Sequence, residues 1–487
     1  MEKTLPPNIA QTKRSLKESF GDSADFYMKD ITIGGHACCI CTLEGLSSLE
    51  KLWIMMLDAV NDMSRHPVTA EELFLYIWKR TSIPVDQNIV TDYPNLIKFL
   101  TAGTSVILIE GLTRGIVVST QSMQYRSVGE PSGEGNLRGS REGFTEPLRV
   151  NISLVRRLIR SEHLYIETST IGVLTKTEVA VFYHKDTVPE SLLKQVKQQL
   201  SKIKLQMLFD TGYLAPFLDR HPLSLFTVGG YTERPETVAA KLCEGKIAIM
   251  VNGSPFALIV PTFFSENFQS MDDYSQRPYF ATFIRLLKYA AFLIAILLPG
   301  IFVAIANFTP ELFPAQMLYK VAAAEQATPM PLFVEALFVN FLLEIVREAG
   351  LRLPKPIGHS VSLVSALIIG DAAIKAGLLG TPIIVVAALT SITSYVIPSL
   401  YEPIIILRVL FILAGGIIGP IGIVALGLFL ILNICSIESF GVPYTAPLTP
   451  YNSSVFKDGL VRASWKKLSK KRFTIQDLPG AGFGDEK

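Results

Sequence analysis

Three long stretches of this chain carry no Asp, Glu, Lys or Arg. Tyr289 to Pro310 is 22 residues, Ala376 to Tyr401 is 26, and Val409 to Ile437 is 29. A helix needs about 20 mainly apolar residues to cross the ~30 Å hydrocarbon core of a bilayer. Buried helices of soluble proteins rarely sustain such runs, so each stretch predicts a membrane span. The charge count makes the same division. Residues 281–456 hold sixteen of the chain's 88 Asp, Glu, Lys and Arg, about 9% of those 176 positions. The other 311 positions hold 72, about 23%, close to the ~25% of ordinary soluble domains. A soluble part is therefore joined to a membrane part.

Two further segments are less clear. Pro331–Val346 is apolar but contains Glu335, Asn340 and Glu344, and Ser360–Leu379 contains Asp371 and Lys375. Spans, re-entrant hairpins and helices packed between subunits all fit them. The first 17 residues contain no apolar signal-peptide core, which predicts a cytoplasmic front domain. Lys457–Arg472 carries seven Lys or Arg against Asp458 alone, which predicts a cytoplasmic tail able to meet anionic lipid. Two cytoplasmic ends require an even number of crossings, so one of the five candidates is not a full span; four to six remain open.

The soluble part alternates strand and helix patterns and repeats itself at an offset of 142. The strand-like His36–Leu43 is matched by Glu178–Lys185. Gly103–Gly111 running into Ile116–Val118 is matched by Gly245–Gly253 running into Ala257–Val260. Each second pair reads as a hairpin with glycine at its turn, preceded by a helix starting near Pro94 or Pro235. The expected organisation is a tail over 1–21, an α/β subdomain over 22–126, and a Gly-rich charged linker over 127–149. A second α/β subdomain follows over 150–275, then an all-α multi-span transmembrane domain over 276–445 and a basic cytoplasmic tail over 446–487.

Chemistry-bearing clusters are sparse. The net charge of +2 supplies no basic field for nucleic acid. Cys38, Cys39 and Cys41 beside His36 suggest a metal cluster, but on a strand Cys39 and Cys41 face one side and Cys38 the other with Ile40. The linker glycines lack the pattern of a phosphate loop. No nucleophile–base arrangement or carboxylate pair with a pocket is visible, so the expectation is no enzyme, cofactor or metal.

Read in order, several motifs resemble the A subunit of GerA-type spore germination receptors. They are Glu130-Pro131, Arg138-Gly139, Gly143-Phe144, Thr232-Glu233-Arg234-Pro235, the run Asn252–Pro261 and Asp272-Asp273-Tyr274. In the membrane part they are Arg347–Gly358 and Ser439–Tyr444. The similarity covers about residues 25–450. Departures are His359 and Asp371, where the family commonly has Gln, and Gly139-Ser140 in place of Gly-Pro. The resemblance implies a spore inner-membrane protein that works with a transporter-like B subunit and a lipoprotein C subunit. It implies a homo-oligomer forming a nutrient-gated cation channel, with the nutrient bound mainly by the B subunit. A transporter-like or purely scaffolding subunit without its own pore is the alternative.

Ionisable groups inside a span face a bundle interior, a partner or water. The candidates for a pore, a gate or intramembrane polar contacts are Glu335, Asn340, Glu344, Glu348, Arg352, Asp371 and Lys375. Glu344 with Arg347, Glu348 with Arg352, and Asp371 with Lys375 stand at i,i+3 or i,i+4, so simple pairing is the competing reading. Glu335 lies nine residues before Glu344 and so points the opposite way on one helix. Pro354, Pro356 and Gly358 form a candidate hinge. Gly415, Gly416, Gly419, Pro420 and Gly422 predict close helix packing or a kink, with a hinge for gating as the sharper alternative.

Overall fold

A computed structural model describes residues 4–21, 23–47, 69–80, 87–120, 131, 133–135, 138–219, 224–353, 370–450, 458–468, 474–478 and 480–482. The soluble part contains two five-stranded antiparallel sheets. The first comprises β1 (Phe26–Ile33), β2 (His36–Leu43), β3 (Gln87–Val90), β4 (Ser105–Ile109) and β5 (Gly115–Val118), in the order β1-β2-β4-β5-β3. The second comprises β6 (Leu164–Ile171), β7 (Thr177–His184), β8 (Gly230–Thr232), β9 (Ile247–Val251) and β10 (Ala257–Val260), in the corresponding order β6-β7-β9-β10-β8.

The offset of 142 survives in the pairing register. Ile107 lies opposite Ile116 and Ile89 opposite Ile116 in the first sheet; Ile249 opposite Leu258 and Tyr231 opposite Leu258 repeat this in the second. Backbone conformation repeats too. Gly103 and Gly245 have φ of 88° and 90°, and the turn glycines Gly111 and Gly253 have 89° and 101°. These left-handed values suit residues without a Cβ. Helix α3 (Tyr93–Thr101) is capped by the Asp92 carboxylate, which accepts from the Asn95 N–H at 2.9 Å, and its counterpart α6 (Pro235–Cys243) opens on proline.

The expected 1–21 tail is instead structural. Helix α1 (Ile9–Phe20) buries Leu16 and Phe20 against Cys39, Cys41 and Leu96 of the first sheet and α3. Its apolar spacing was masked by the surrounding Lys, Arg and Glu. On the opposite face of that sheet, Cys38 and Ile40 pack against Leu73 and Ile77 of α2 (Ala70–Arg80), so the cysteines divide as strand alternation requires. The two sheets are locked together by a buried bidentate ion pair. Arg156 of α4 (Leu148–Leu158) donates to the two Asp25 carboxylate oxygens at 2.8 and 2.9 Å. The remaining face of the second sheet carries α5 (Glu190–Ser201), with Leu192 and Val196 buried.

The C-terminal part is helical: α7 (Pro278–Phe308), α8 (Ala315–Gln326), α9 (Leu332–Arg352), α10 (Thr381–Ser394), α11 (Tyr401–Ile417) and α12 (Pro420–Ser436). Among the described residues, two stretches, Pro278–Phe308 and Pro398–Ile417, are long and apolar enough to cross a membrane. Two sequence expectations change here. The charge-free run from Ala376 to Tyr401 yields only the 14-residue α10, about 21 Å at 1.5 Å per residue. The run from Val409 to Ile437 is not one helix. It breaks at Gly419, whose φ of 76° ends α11 and whose successor Pro420 opens α12. Gly300 of α7 and Gly415 of α11 meet backbone to backbone, and a Cβ on Gly300 would lie 2.5 Å from the Phe411 carbonyl oxygen. Those glycines serve close packing.

The second sheet and the helices share one continuous core. Val181, Ile249 and Leu258 join through Phe226, Phe263 and Phe268 to Phe292, Ile404 and Phe411. The described residues of the expected basic tail, among them 474–478, pack into the folded body. Ile475 and Leu478 are buried in the same core, and the Ile475 N–H donates to the Glu244 carbonyl at 2.8 Å.

Candidate functional site in the helical domain

Four of the C-terminal helices enclose a polar knot. Arg408, on α11, is the only Asp, Glu, Lys or Arg between Glu402 and Glu438, and it is 2% exposed. Its guanidinium reaches three other helices. Nε donates to the Ala295 carbonyl of α7 at 2.9 Å, Nη1 to Oδ1 of Asn340 on α9 at 3.3 Å, and Nη2 to the Thr390 carbonyl of α10 at 3.3 Å. Glu344 lies 4.0 Å from Nη1. A planar fork of donors suits this task because it satisfies several acceptors in fixed directions without its own lone pairs.

Glu344 extends the knot. Its Oε2 accepts from Arg347 Nε at 3.0 Å and from the Tyr401 hydroxyl at 2.6 Å, while the Arg347 guanidinium lies 3.6 Å above the Tyr401 ring. Tyr395 stacks parallel to Tyr401. Asn340, one of the sequence candidates, also donates to the Ala336 carbonyl at 2.7 Å, which fixes its amide orientation. Sequence reasoning found Asn340 and Glu344 but missed Arg408 and Tyr401. The available signal was a lone Arg between apolar runs.

The other candidates lie elsewhere. Glu335 is buried on the opposite side of α9, where Oε2 accepts from the Gly380 N–H at 3.0 Å at the start of α10. A carboxylate there answers both the unsatisfied amides and the positive end of the helix dipole. Glu348–Arg352 and Asp371–Lys375 form ion pairs at 2.6 Å, each with side chains more than half exposed. Pro354, Pro356 and Gly358, the candidate hinge, lie outside the described residues, as does His359.

A second polar assembly joins the helices to the second sheet. Arg285, in the third turn of α7, donates to Asp273 at 2.6 Å and to the Asp458 carbonyl at 2.6 Å, and the Tyr274 hydroxyl donates to Asp458 at 2.9 Å. Nearby, Glu266 accepts from Lys241 at 2.7 Å and Lys246 at 2.6 Å. Burial pulls the Lys246 ammonium down to about 8. Burial also opposes the Glu266 charge, but the two ammonium groups outweigh it and hold the carboxyl at about 2.

The motifs dispersed along the sequence converge on this junction. Arg234 clamps the linker through the carbonyls of Glu134 and Ser140, both at 2.9 Å, and the Phe144 N–H donates to the Glu233 carbonyl at 2.7 Å. The Arg138 N–H reaches the Asp272 carboxylate at 3.1 Å. Ser439 donates to the Val228 carbonyl at 3.3 Å, and the Phe264 N–H to the Tyr444 carbonyl at 2.8 Å. The described linker residues thus contact both the segment around Arg234 in the second sheet and Asp272, just before α7.

A match along nearly the whole chain decides the family. The sequence model of the "Bacillus/Clostridium GerA spore germination protein" family matches residues 14–474. The chain belongs to the GerA family. Similar proteins include "Spore germination protein KA" of Bacillus subtilis (strain 168), 36% identical across 95% of this chain and 85% of the relative. "Uncharacterized membrane protein YfkQ" of the same organism is 32% identical across 96% of this chain and 92% of the relative. Among solved structures, the N-terminal domain of the A subunit of the Bacillus megaterium spore germinant receptor GerK3 aligns with 25% identity. That alignment covers 54% of this GerA-family chain and 97% of that chain, at a TM-score of 0.43. Family membership places the chain among the GerA spore germination proteins.

Proposed function

We propose that this chain is the membrane-embedded A subunit of a nutrient receptor in the spore inner membrane, non-enzymatic, and assembled with copies of itself and with B and C subunits. In the assembly it forms a cation-conducting pore whose opening depends on nutrient bound by the complex. The family supplies the germination role. The observation supporting a pore is the placement of charge: the exposed pairs Glu348–Arg352 and Asp371–Lys375 sit on a helical domain whose other exposed side chains are largely Leu, Ile, Val and Phe. Ionised side chains in such surroundings require water or a neighbouring subunit.

The continuous core between the second sheet and α7 and α11 gives the assembly a mechanical path. A shift of the sheet cannot leave the helices unmoved, because close-packed interiors transmit displacement. Arg408 then ties α7, α9, α10 and α11 into one unit that moves together. The test is planar-bilayer recording of the purified oligomer, with Glu348→Gln and Asp371→Asn as variants. Cation current that changes selectivity in the variants supports the reading. Absence of current with every nutrient tried, in assembled receptor, overturns the pore and leaves a scaffold.

A further inference from the structure

Residues 458–468 fold back onto the first turns of α7. The Arg462 N–H donates to the Thr282 hydroxyl at 3.1 Å, and the Arg462 guanidinium lies against the rings of both Tyr274 (5.4 Å) and Trp465 (4.8 Å), whose centroids are 6.0 Å apart. The Trp465 indole N–H donates to the Tyr274 carbonyl at 3.1 Å. With its N–H satisfied, the indole still leaves 58% of its surface exposed. Tyr279, Phe280 and Phe283 of α7 and Val461 of the returning segment are exposed as well, and exposed Lys466 and Lys467 follow directly.

The position of this patch along α7 sets its meaning. The charge-free run of α7 begins at Tyr289, so residues 278–288 form the approach to that run. Aromatic rings with one polar edge and lysines with long apolar stems are the side chains suited to the boundary between headgroups and acyl chains. A water-facing role explains Lys466 and Lys467 but not the large exposed apolar groups of the returning segment and of the first turns of α7. A purely hydrocarbon-facing role explains the rings but not the lysines.

We propose that residues 459–468, seated on α7, form a docking surface for an anionic bilayer, with the Trp465 ring at headgroup depth and Lys466 and Lys467 on lipid phosphates. This rests on the reading that α7 crosses the membrane. The buried Arg462 acts as a positioning residue: it holds the indole over the foot of α7. Because Asp458 at the start of the same segment accepts from Arg285, lipid contact at Trp465 is mechanically linked to the junction between sheet and helices.

The chain has three tryptophans, so Trp53→Phe with Trp78→Phe leaves Trp465 as the only indole. The full-length variant in nanodiscs of phosphatidylcholine with phosphatidylglycerol is compared with discs of phosphatidylcholine alone. Lipids brominated near the headgroup should quench Trp465 strongly, and lipids brominated near the chain ends should not. Lys466→Gln with Lys467→Gln should weaken the preference for anionic discs, each charge contributing about fivefold. If the two Phe substitutions prevent folding, the wild-type chain carrying 5-fluorotryptophan, with the Trp465 resonance assigned by Trp465→Phe, reads the same contact through a paramagnetic lipid. Trp465 emission or resonance insensitive to both lipid charge and quencher overturns the proposal, including the case where another protein chain covers the patch. The readout is independent of conductance, so it separates this inference from the pore.

Discussion

Replacing Arg408 tests whether one guanidinium fastens the helical domain. In Arg408→Met the side chain keeps its length and apolar stem, but three acceptors lose their donor: the Ala295 carbonyl, Asn340 Oδ1 and the Thr390 carbonyl. Hydrogen bonds to a charged group contribute about 1.5–3 kcal/mol each, and the two at 3.3 Å belong at or below the lower end. Removing a buried cation also relieves its desolvation, which offsets part of the loss. Glu344 is not stranded, because Arg347 and Tyr401 still donate to it. The expected net loss is about 2–4 kcal/mol, or roughly 4–16 °C in the unfolding midpoint at the sensitivity of a domain of this size. Arg408→Lys should lose nearly as much, since an ammonium cannot serve three divergent acceptors. The assay is the fraction of full-length detergent-solubilised protein eluting in its native peak after a temperature series. A Lys variant as stable as wild type would show that charge alone matters and refute the fork argument. A Met variant more stable than wild type would show that Arg408 does not fasten the helices.

Gly300→Ala and Gly415→Ala should each destabilise by about 1–3 kcal/mol in the same assay, because the added methyl meets backbone that cannot move independently; neutrality would mean the helix crossing is loose. Asp25→Ala should destabilise by about 3–5 kcal/mol by leaving Arg156 buried and unpaired, whereas Asp25→Leu with Arg156→Met should recover most of that, as read by urea unfolding of the full chain. The Glu266 carboxyl is held below its ordinary 4.5, at about 2, so its contribution is complete above about pH 4.5 and disappears as pH falls toward 2. Glu266→Gln should therefore flatten the stability profile between those values, by up to about 3 kcal/mol; an unchanged slope would remove Glu266 as its source.

Much of the architecture is local and therefore readable in one dimension. The 142-residue repeat rests on glycines that must take positive φ, prolines that open helices and alternating strand faces, all properties of a few adjacent residues. The ion pairs Glu344–Arg347, Glu348–Arg352 and Asp371–Lys375 follow from helical spacing alone. Family order was equally legible, because the motifs occur in sequence. Why they matter was not, since Arg234 and Glu134, or Arg138 and Asp272, stand about a hundred residues or more apart.

The sequence by itself determined that an α/β repeat precedes an apolar helical part poor in charge. Hydrophobic content and residue spacing set those features before any tertiary contact forms. Tertiary structure decided that the charge-free run around α10 yields a helix of only 14 residues, because a run's length does not specify the packing that ends a helix. It also decided that α1 and residues 474–478 belong to the folded body, and that Arg408 sits at a meeting of four helices. Those outcomes depend on long-range partners. The Ala295 carbonyl is 113 positions from Arg408 and carries no side-chain signature that a sequence could display.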